Sequence, residues 1–455
     1  MPGVAKAATS SAEAVTAPVR HGVPDGGGRR RRGLALVFGL LPVLVVTALF
    51  RATQNMGQTT LALLGKERLG ISASSIGWVG AAVGLVSVAV AMLGASRVPV
   101  RLALLAASAS ALVLSVSLLV FALAGSFAMF VGAAVIFGLA SGIGLPSLTT
   151  NVGARPGPNR DRSLALFTLA LSASLALGPL LETAVLSVAK ENVRVPFVVF
   201  AGFPVLAALI GFGSWRSGGG RLGHSLRRDQ EDATAPEGAS GSVELEEAQA
   251  GEPPREGVQV EPARPLWSIL GWRAALWVQL VYSIPFSGIV IFGALVARVG
   301  YGVTPAVAQL AFTSLFVTSM AGRAYLAWRP IRGSKAPAIA LSVGLSVVGL
   351  VLLALGHGVV ALMAAMALLG IPHGITFPVV LSLVAGSTTP AELPKANAVL
   401  LGGTSLTSVV IPAALGVIIA AFGYRDMVLF LLAPVVVISV ALWSSRSALT
   451  MARPS

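Results

Sequence analysis

Residues 138–146 read Gly-Leu-Ala-Ser-Gly-Ile-Gly-Leu-Pro, and residues 370–378 read Gly-Ile-Pro-His-Gly-Ile-Thr-Phe-Pro. Gly, Gly, Ile and Pro recur at matching places, 232 residues apart. The same offset carries Ile71-Ser72 onto Val303-Thr304 and Arg97 onto Arg329. One residue further on, Ser172 and Pro179 fall on Ser405 and Pro412. Coincidences that keep their order along a chain signify a duplication, and a repeat decides the architecture before any local pattern does. The chain reads as two similar halves, each built around a helix broken by Gly and Pro.

Composition says what kind of halves these are. Of 455 residues, 55% are hydrophobic and 11% charged, with mean hydropathy +0.85. Soluble domains carry about 25% charged residues, so this chain cannot cover a water-facing surface. Runs of about 20 apolar residues, long enough to cross a bilayer as helices, recur along it. In lipid the backbone must satisfy its own polar groups, which selects helices; the alternating pattern of a membrane barrel is absent.

The spans are placed at about 34–61, 74–95, 100–123, 127–149, 164–187 and 195–213, then 274–297, 305–327, 336–355, 359–385, 396–420 and 426–445. The expected class is therefore an all-α membrane protein of twelve transmembrane helices in two pseudo-symmetric six-helix bundles, 34–213 and 266–446. Residues 1–33 end in Arg29-Arg30-Arg31-Arg32 and read as a disordered cytoplasmic tail, and 447–455 as a second cytoplasmic tail. A twin-Arg export signal competes for the first segment, but the apolar run behind it is long, carries Arg51 and lacks a small-residue cleavage site. Residues 214–265, rich in Gly, Glu, Arg and Pro, read as a flexible cytoplasmic linker.

A net charge of +14 raises the question of nucleic acid. The charges sit in short clusters between apolar runs, which is a topology signal and not a binding face. Alternate loops, counted from the N-terminus, hold 25 of the 32 Lys and Arg, which predicts both termini on the cytoplasmic side of the plasma membrane. Trp78, Trp215, Trp267, Trp272, Trp328 and Trp443 lie near span ends, where an interfacial belt would place them. The chain has no Cys, which excludes disulfides and thiolate chemistry. No His-Glu-x-x-His pattern, Walker loop or catalytic constellation occurs, so neither metal, cofactor nor enzymatic activity is expected.

Twelve spans, parallel halves, a long central loop and basic second and eighth loops together resemble the major facilitator superfamily. That family's loop between spans two and three reads roughly Gly-x-x-x-Asp-Arg-x-Gly-Arg-Arg. Here the place holds Ser96-Arg97-Val98-Pro99-Val100-Arg101, without the Asp, and the second half offers Gly322-Arg323 and Arg329-Pro330-Ile331-Arg332. The resemblance implies that Arg97, Arg101, Arg323 and Arg329 belong to gating loops. The family's antiporter signature in span five has Gly-Pro followed by paired Gly; here Gly178-Pro179 is followed by Leu180, Leu181 and Glu182. The resemblance also implies a cavity lined by spans 1, 4, 7 and 10, worked by alternating access.

Span 1 has the clearest polar stripe: Arg51, Gln54, Asn55 and Gln58 follow i, i+3, i+4, i+7 and share one helix face. An Arg near the bilayer centre costs about 2.5–3.5 kcal/mol on insertion scales, so such a face turns toward protein or water. Arg51 is expected to bind an anionic group on a small solute, or else to brace span 1. Glu182 is the only acid predicted within a span. Counted from the helix starts, its depth matches that of Arg51, so an ion pair is expected, acting as a proton-coupling site or as a static lock. His373 takes the position of Ser141 in the other copy and could bind solute, relay protons or simply pack. Gln279, Tyr282 and Ser283 form a second mixed face with Phe286 around Pro285, and Thr376 and Asn397 are weaker candidates. The pairs Gly138/Gly142 and Gly370/Gly374 are expected to serve close helix packing. The sum is a monomeric secondary transporter in the lipid bilayer, moving an organic anion or zwitterion with a coupling ion, expected to be a proton. An exporter of amphipathic compounds and a non-transporting membrane sensor stand as alternatives.

Overall fold

The computed structural model describes residues 26–94, 97–154, 160–234, 264–329, 331, 333–389 and 392–444. Twelve α-helices account for most of them: α1 Gly26–Leu69, α2 Ala73–Leu93, α3 Val100–Leu123, α4 Phe127–Gly153, α5 Arg160–Val188 and α6 Arg194–Thr234 in the first half. The second half has α7 Leu270–Leu295, α8 Pro305–Trp328, α9 Ala336–Leu355, α10 Gly358–Ser387, α11 Leu393–Phe422 and α12 Tyr424–Ser444. Among the described residues, the eleven helices α2 to α12 are long and apolar enough to cross a membrane. α1 carries the polar stripe.

The duplication is visible in how helices start. Ser72 caps α2 by accepting from the Ser75 backbone N–H at 3.2 Å, and Thr304, its repeat equivalent, caps α8 by accepting from the Val307 N–H at 3.4 Å. Hydroxyl side chains at this position satisfy one of the orphan donors of a first helical turn.

The glycine pairs fix how helices pack. A Cβ added at Gly138 or Gly142 would lie within 3.0 Å of a carbonyl of α2, and one at Gly370 or Gly374 within 3.0 Å of a carbonyl of α8. So α4 lies against α2 as α10 lies against α8. Small residues allow this backbone approach, which drives helix association where lipid removes the hydrophobic incentive. The expected breaks in these helices do not occur: Pro146 sits inside continuous α4, and Pro372 and Pro378 inside continuous α10. A helix buried among others tolerates the lost hydrogen bond. Around this frame Phe121 gathers Phe130 and Phe197 at ring-centroid distances of 5.3 and 5.5 Å, forming the core of the first half.

The halves meet along two seams. α2 packs on α11, where a Cβ on Gly77 would collide with the Pro412 carbonyl and one on Gly416 with the Ala73 carbonyl. α5 packs on α8, a contact that is the repeat counterpart of the α11–α2 seam. At the end where α1 finishes and α2 begins, Arg298 bonds Glu67 at 2.8 Å. At the same end the Ala306 N–H donates to Glu191 Oε2 at 2.8 Å.

Some expectations need correction. Trp272 is fully buried and donates to the Ala396 carbonyl at 3.2 Å, so it is a packing residue and not part of an interfacial belt. Trp78, Trp267 and Trp328 are exposed. α6 runs on to Thr234, into the segment expected to be linker. Residues 1–25, 235–263 and 445–455, with most of the predicted tails and linker, lie outside the described residues. So do Ser96, Pro330 and Arg332, and the side chains of Arg29 to Arg32 and Trp443. The linker's far end is tied down by Glu392, which accepts from the Arg264 side chain at 3.0 Å and from the Thr389 N–H at 2.9 Å. Those bonds hold its carboxyl at about 2, below the usual carboxylate range.

Candidate functional site

A cavity of about 300 Å³ lies between the halves. Arg51, Asn55, Gln58 and Leu61 of α1 form one wall, and Phe137 and Ser141 of α4 lie beside them. Gly80, Val83, Gly84 and Ser87 of α2 face Ser405, Ser408 and Pro412 of α11, while α7 contributes Phe286, Ser287, Val290 and Ile291. Three of the four stripe residues of α1, Arg51, Asn55 and Gln58, therefore line the cavity. The lining differs from expectation in that α10 is replaced by α2 and α11. Gly80 and Gly84 have no side chain, so the α2 backbone itself becomes wall.

Arg51 is half-buried and donates to Gln54 Oε1 at 2.5 Å. Gln54 thus braces Arg51 and does not line the cavity. Asn55 spends its amide on the Leu175 carbonyl of α5, at 3.0 Å. That bond fixes the register of α1 against α5, and the register removes the expected Arg51–Glu182 pair. Thr60 lies five residues beyond Asn55 and Glu182 seven beyond Leu175; these two meet, with the Thr60 hydroxyl donating to Glu182 Oε1. Arg51 lies nine residues, about 13 Å at 1.5 Å per residue, from Thr60. Counting depth from the starts of apolar runs misplaced the two because run starts do not set the register between helices, whereas the Asn55–Leu175 bond does.

Glu182 is fully buried, and its Oε2 has no hydrogen-bond partner. The Thr60 hydroxyl that reaches it in turn accepts from Gln309 Nε2 of α8 at 3.1 Å, and Gln309 Oε1 is likewise unpartnered. The three side chains come from α5, α1 and α8 and bridge the halves. Gln309 escaped the sequence reading, although an amide inside an apolar run was the available signal.

The second-half candidates divide. His373 is buried, with Nδ1 2.6 Å from Ser319 Oγ of α8 and its ring 4.3 Å from that of Phe286. It stands behind the cavity wall, whereas its repeat counterpart Ser141 stands in it. Thr376 bonds Ser342 of α9 at 2.5 Å, and Gln279 donates to Thr404 of α11 at 3.2 Å. Tyr282 stacks on Phe286 at 5.4 Å, and Ser283 is buried with an unpartnered hydroxyl. Of the mixed face expected on α7, Phe286 lines the cavity, together with Ser287, Val290 and Ile291, whereas Gln279, Tyr282 and Ser283 do not.

Of the expected gating arginines, Arg97 and Arg101 are exposed near the start of α3, and Arg329 lies over its neighbour Trp328 at 5.6 Å. Arg323 does not belong to a loop. It projects from within α8 and donates to Ser172 Oγ of α5 at 2.8 Å.

The sequence profile described as Major Facilitator Superfamily matches residues 33–299 and 275–454. No curated protein matches the sequence. Among solved structures, a bacterial homologue of the human lysosomal transporter Spinster, inward-facing and occupied, superposes with TM-score 0.65 at 13% identity, over 93% of this chain and 99% of that one. The peptide transporter POT in complex with sulfate gives 0.66 at 11% identity, over 91% and 96%. The nucleoside transporter NupG gives 0.61 at 13%, over 90% and 98%. At such identities the likeness is one of fold.

Proposed function

Since the chain belongs to the major facilitator superfamily, we propose that it is a proton-coupled secondary transporter of a small organic anion or zwitterion, working by alternating access. The observation that carries this reading is Arg51: a guanidinium on the wall of a cavity shared by both halves, bonded to a neutral amide. An Arg in that position is pre-oriented and among the described residues has no counter-charge, so an anionic group entering the cavity supplies it. Phe137, Phe286, Val290 and Ile291 accommodate an apolar body beside the charge.

Proton coupling is assigned to Glu182. A carboxylate buried without a cation is costly, and taking up a proton removes the cost. Neutral Glu182 lets the α5–α8 seam close over it; charged Glu182 favours admitting water there. With both termini cytoplasmic, as the distribution of Lys and Arg argues, this seam and the Glu67–Arg298 bridge lie toward the outside. The proton then acts on the outer gate, while the solute sits nearer the middle of the membrane.

The test begins with a thermal-shift screen of the purified full chain against organic anions and zwitterions, with Arg51→Ala beside the native protein. Anions should stabilise the native form and not the variant; equal stabilisation of both removes Arg51 from the site. In proteoliposomes supplied with the solute so found, Glu182→Gln should keep exchange but lose its response to an imposed pH gradient. A response like that of the native protein would end the coupling assignment.

A further inference from the structure

The cavity holds one cation on its wall, but a second reaches the same depth from the opposite half. Arg323 of α8 donates to Ser172, which lies three residues before Leu175 on α5. Leu175 in turn accepts from Asn55, four residues after Arg51 on α1. Helices α1 and α5 cross in the same direction, being odd-numbered spans of an alternating chain. Arg51 and Ser172 therefore lie on the same side of the Asn55–Leu175 contact, by about 6 and 4.5 Å of helix rise. The Arg323 guanidinium is thus anchored level with Arg51, one turn along α5 from Leu175, which lines the cavity. Among the described residues neither forms an ion pair: the partner of one is Gln54, of the other Ser172.

Two guanidiniums held by neutral groups at one level of a membrane protein make a site that a single negative charge only half satisfies. We propose that Arg51 and Arg323 together form a head-group subsite for a doubly charged oxyanion, of the phosphate monoester or phosphonate class, on a solute with an apolar body. This rests on the reading of the cavity as a solute site and narrows it, excluding zwitterions and simple monocarboxylates as preferred cargo. Planar guanidiniums match such a head in paired, charge-assisted hydrogen bonds. The lining residue Phe286, held in place by stacking on Tyr282, offers a flat surface for the body. Because the two arginines come from different halves, the head also ties the halves together at its own level, where the empty protein has two like charges.

The experiment compares phenyl phosphate with benzenesulfonate, a monoanion of similar shape, binding to the purified full chain by calorimetry. The second phosphate pKa is about 6, so phenyl phosphate binding should strengthen from pH 5 to pH 7.5 while benzenesulfonate binding stays flat. Arg323→Gln should weaken phenyl phosphate by about 10- to 100-fold, erase its pH dependence and leave benzenesulfonate nearly unchanged. Should that variant not fold, Arg323→Lys should still weaken phenyl phosphate severalfold more than benzenesulfonate; an equal change overturns the proposal. Equal affinity for both probes in the native protein, or no binding of phenyl phosphate, also overturns it. If Arg323→Gln leaves both the affinity and its pH dependence intact while Arg51→Ala abolishes binding, the arginine pair falls and the single-arginine site stands.

Discussion

The two seams between the halves occupy equivalent places in the duplication and are made of opposite chemistry. On α2 and α11, Gly77, Gly84 and Gly416 bring backbone against backbone, with Pro412 at the crossing. On α8 and α5 the repeat replaces Gly77 by Gln309, and beside Pro179, the equivalent of Pro412, stand Glu182 and Thr183. That seam closes through side chains: Glu182, Thr60 and Gln309, the Thr183 hydroxyl on the Ala306 carbonyl at 3.3 Å, and Arg323 on Ser172. A contact between backbones is indifferent to protons and solutes and can serve as a pivot. A contact made by buried polar groups holds only while each is satisfied, so it can be switched. On the proposed mechanism, one duplicated element would supply a pivot on one side and a latch on the other.

The harshest way to break this comparison is at the pivot. Gly77→Leu puts a side chain where even a Cβ collides with the Pro412 carbonyl, and no flexible neighbour is available to yield. Overpacking typically costs about 1–3 kcal/mol and more where backbone must move. The variant should lose its monodisperse peak in size-exclusion chromatography, or keep it with a much lower thermal midpoint, and transport should fail at every pH. A variant that stays as stable as the native protein and transports normally would show that the glycine seam is not tightly closed.

The latch should respond differently, by changing population instead of folding. Gln309→Leu removes the donor to Thr60 and fills a similar volume. Because the chain has no Cys, a single Ala306→Cys, buried within this seam, gives a clean reporter for an impermeant maleimide. The loss of a buried hydrogen bond is worth about 1 kcal/mol, so labelling should quicken about fivefold, with the thermal midpoint little changed. Unchanged labelling would place both seams in the same rigid class.

How much of this could be read from the sequence follows from the same contrast. Twelve spans and the correspondence of the two halves were legible because hydrophobic run length and repeated glycines are backbone properties. The stripe from Arg51 to Gln58 was legible because four polar residues on an otherwise apolar helix leave only one face to consider. α10 gave no such guide: apolar on all sides, it does not say whether His373 points into the cavity or behind Phe286. The Thr60–Glu182 contact could not be derived from apolar run ends, since helices extend past them and one bond, Asn55 to Leu175, sets the register. Arg323 was drawn into a loop by its likeness to a motif, although Trp328 marks the helix end five residues later.

The mildest perturbation asks whether the latch is the buried triad or the rim above it. Arg298 and Glu67 are joined at 2.8 Å, with side chains 42% and 27% exposed, so water and salt compete for them. Exposed pairs contribute about 0.2–1 kcal/mol, and Arg298 keeps a second bond to the Val303 carbonyl at 3.2 Å whatever happens to its partner. Glu67→Gln should therefore raise labelling of Ala306→Cys by about twofold in dilute buffer. The increase should vanish near 1 M salt, where screening acts within about 3 Å. The Gln309→Leu increase, arising inside the seam, should survive that salt. If instead the rim substitution opens the seam as far as Gln309→Leu does, and salt alone reproduces it, the closure belongs to surface charge and Glu182 loses its place at the gate.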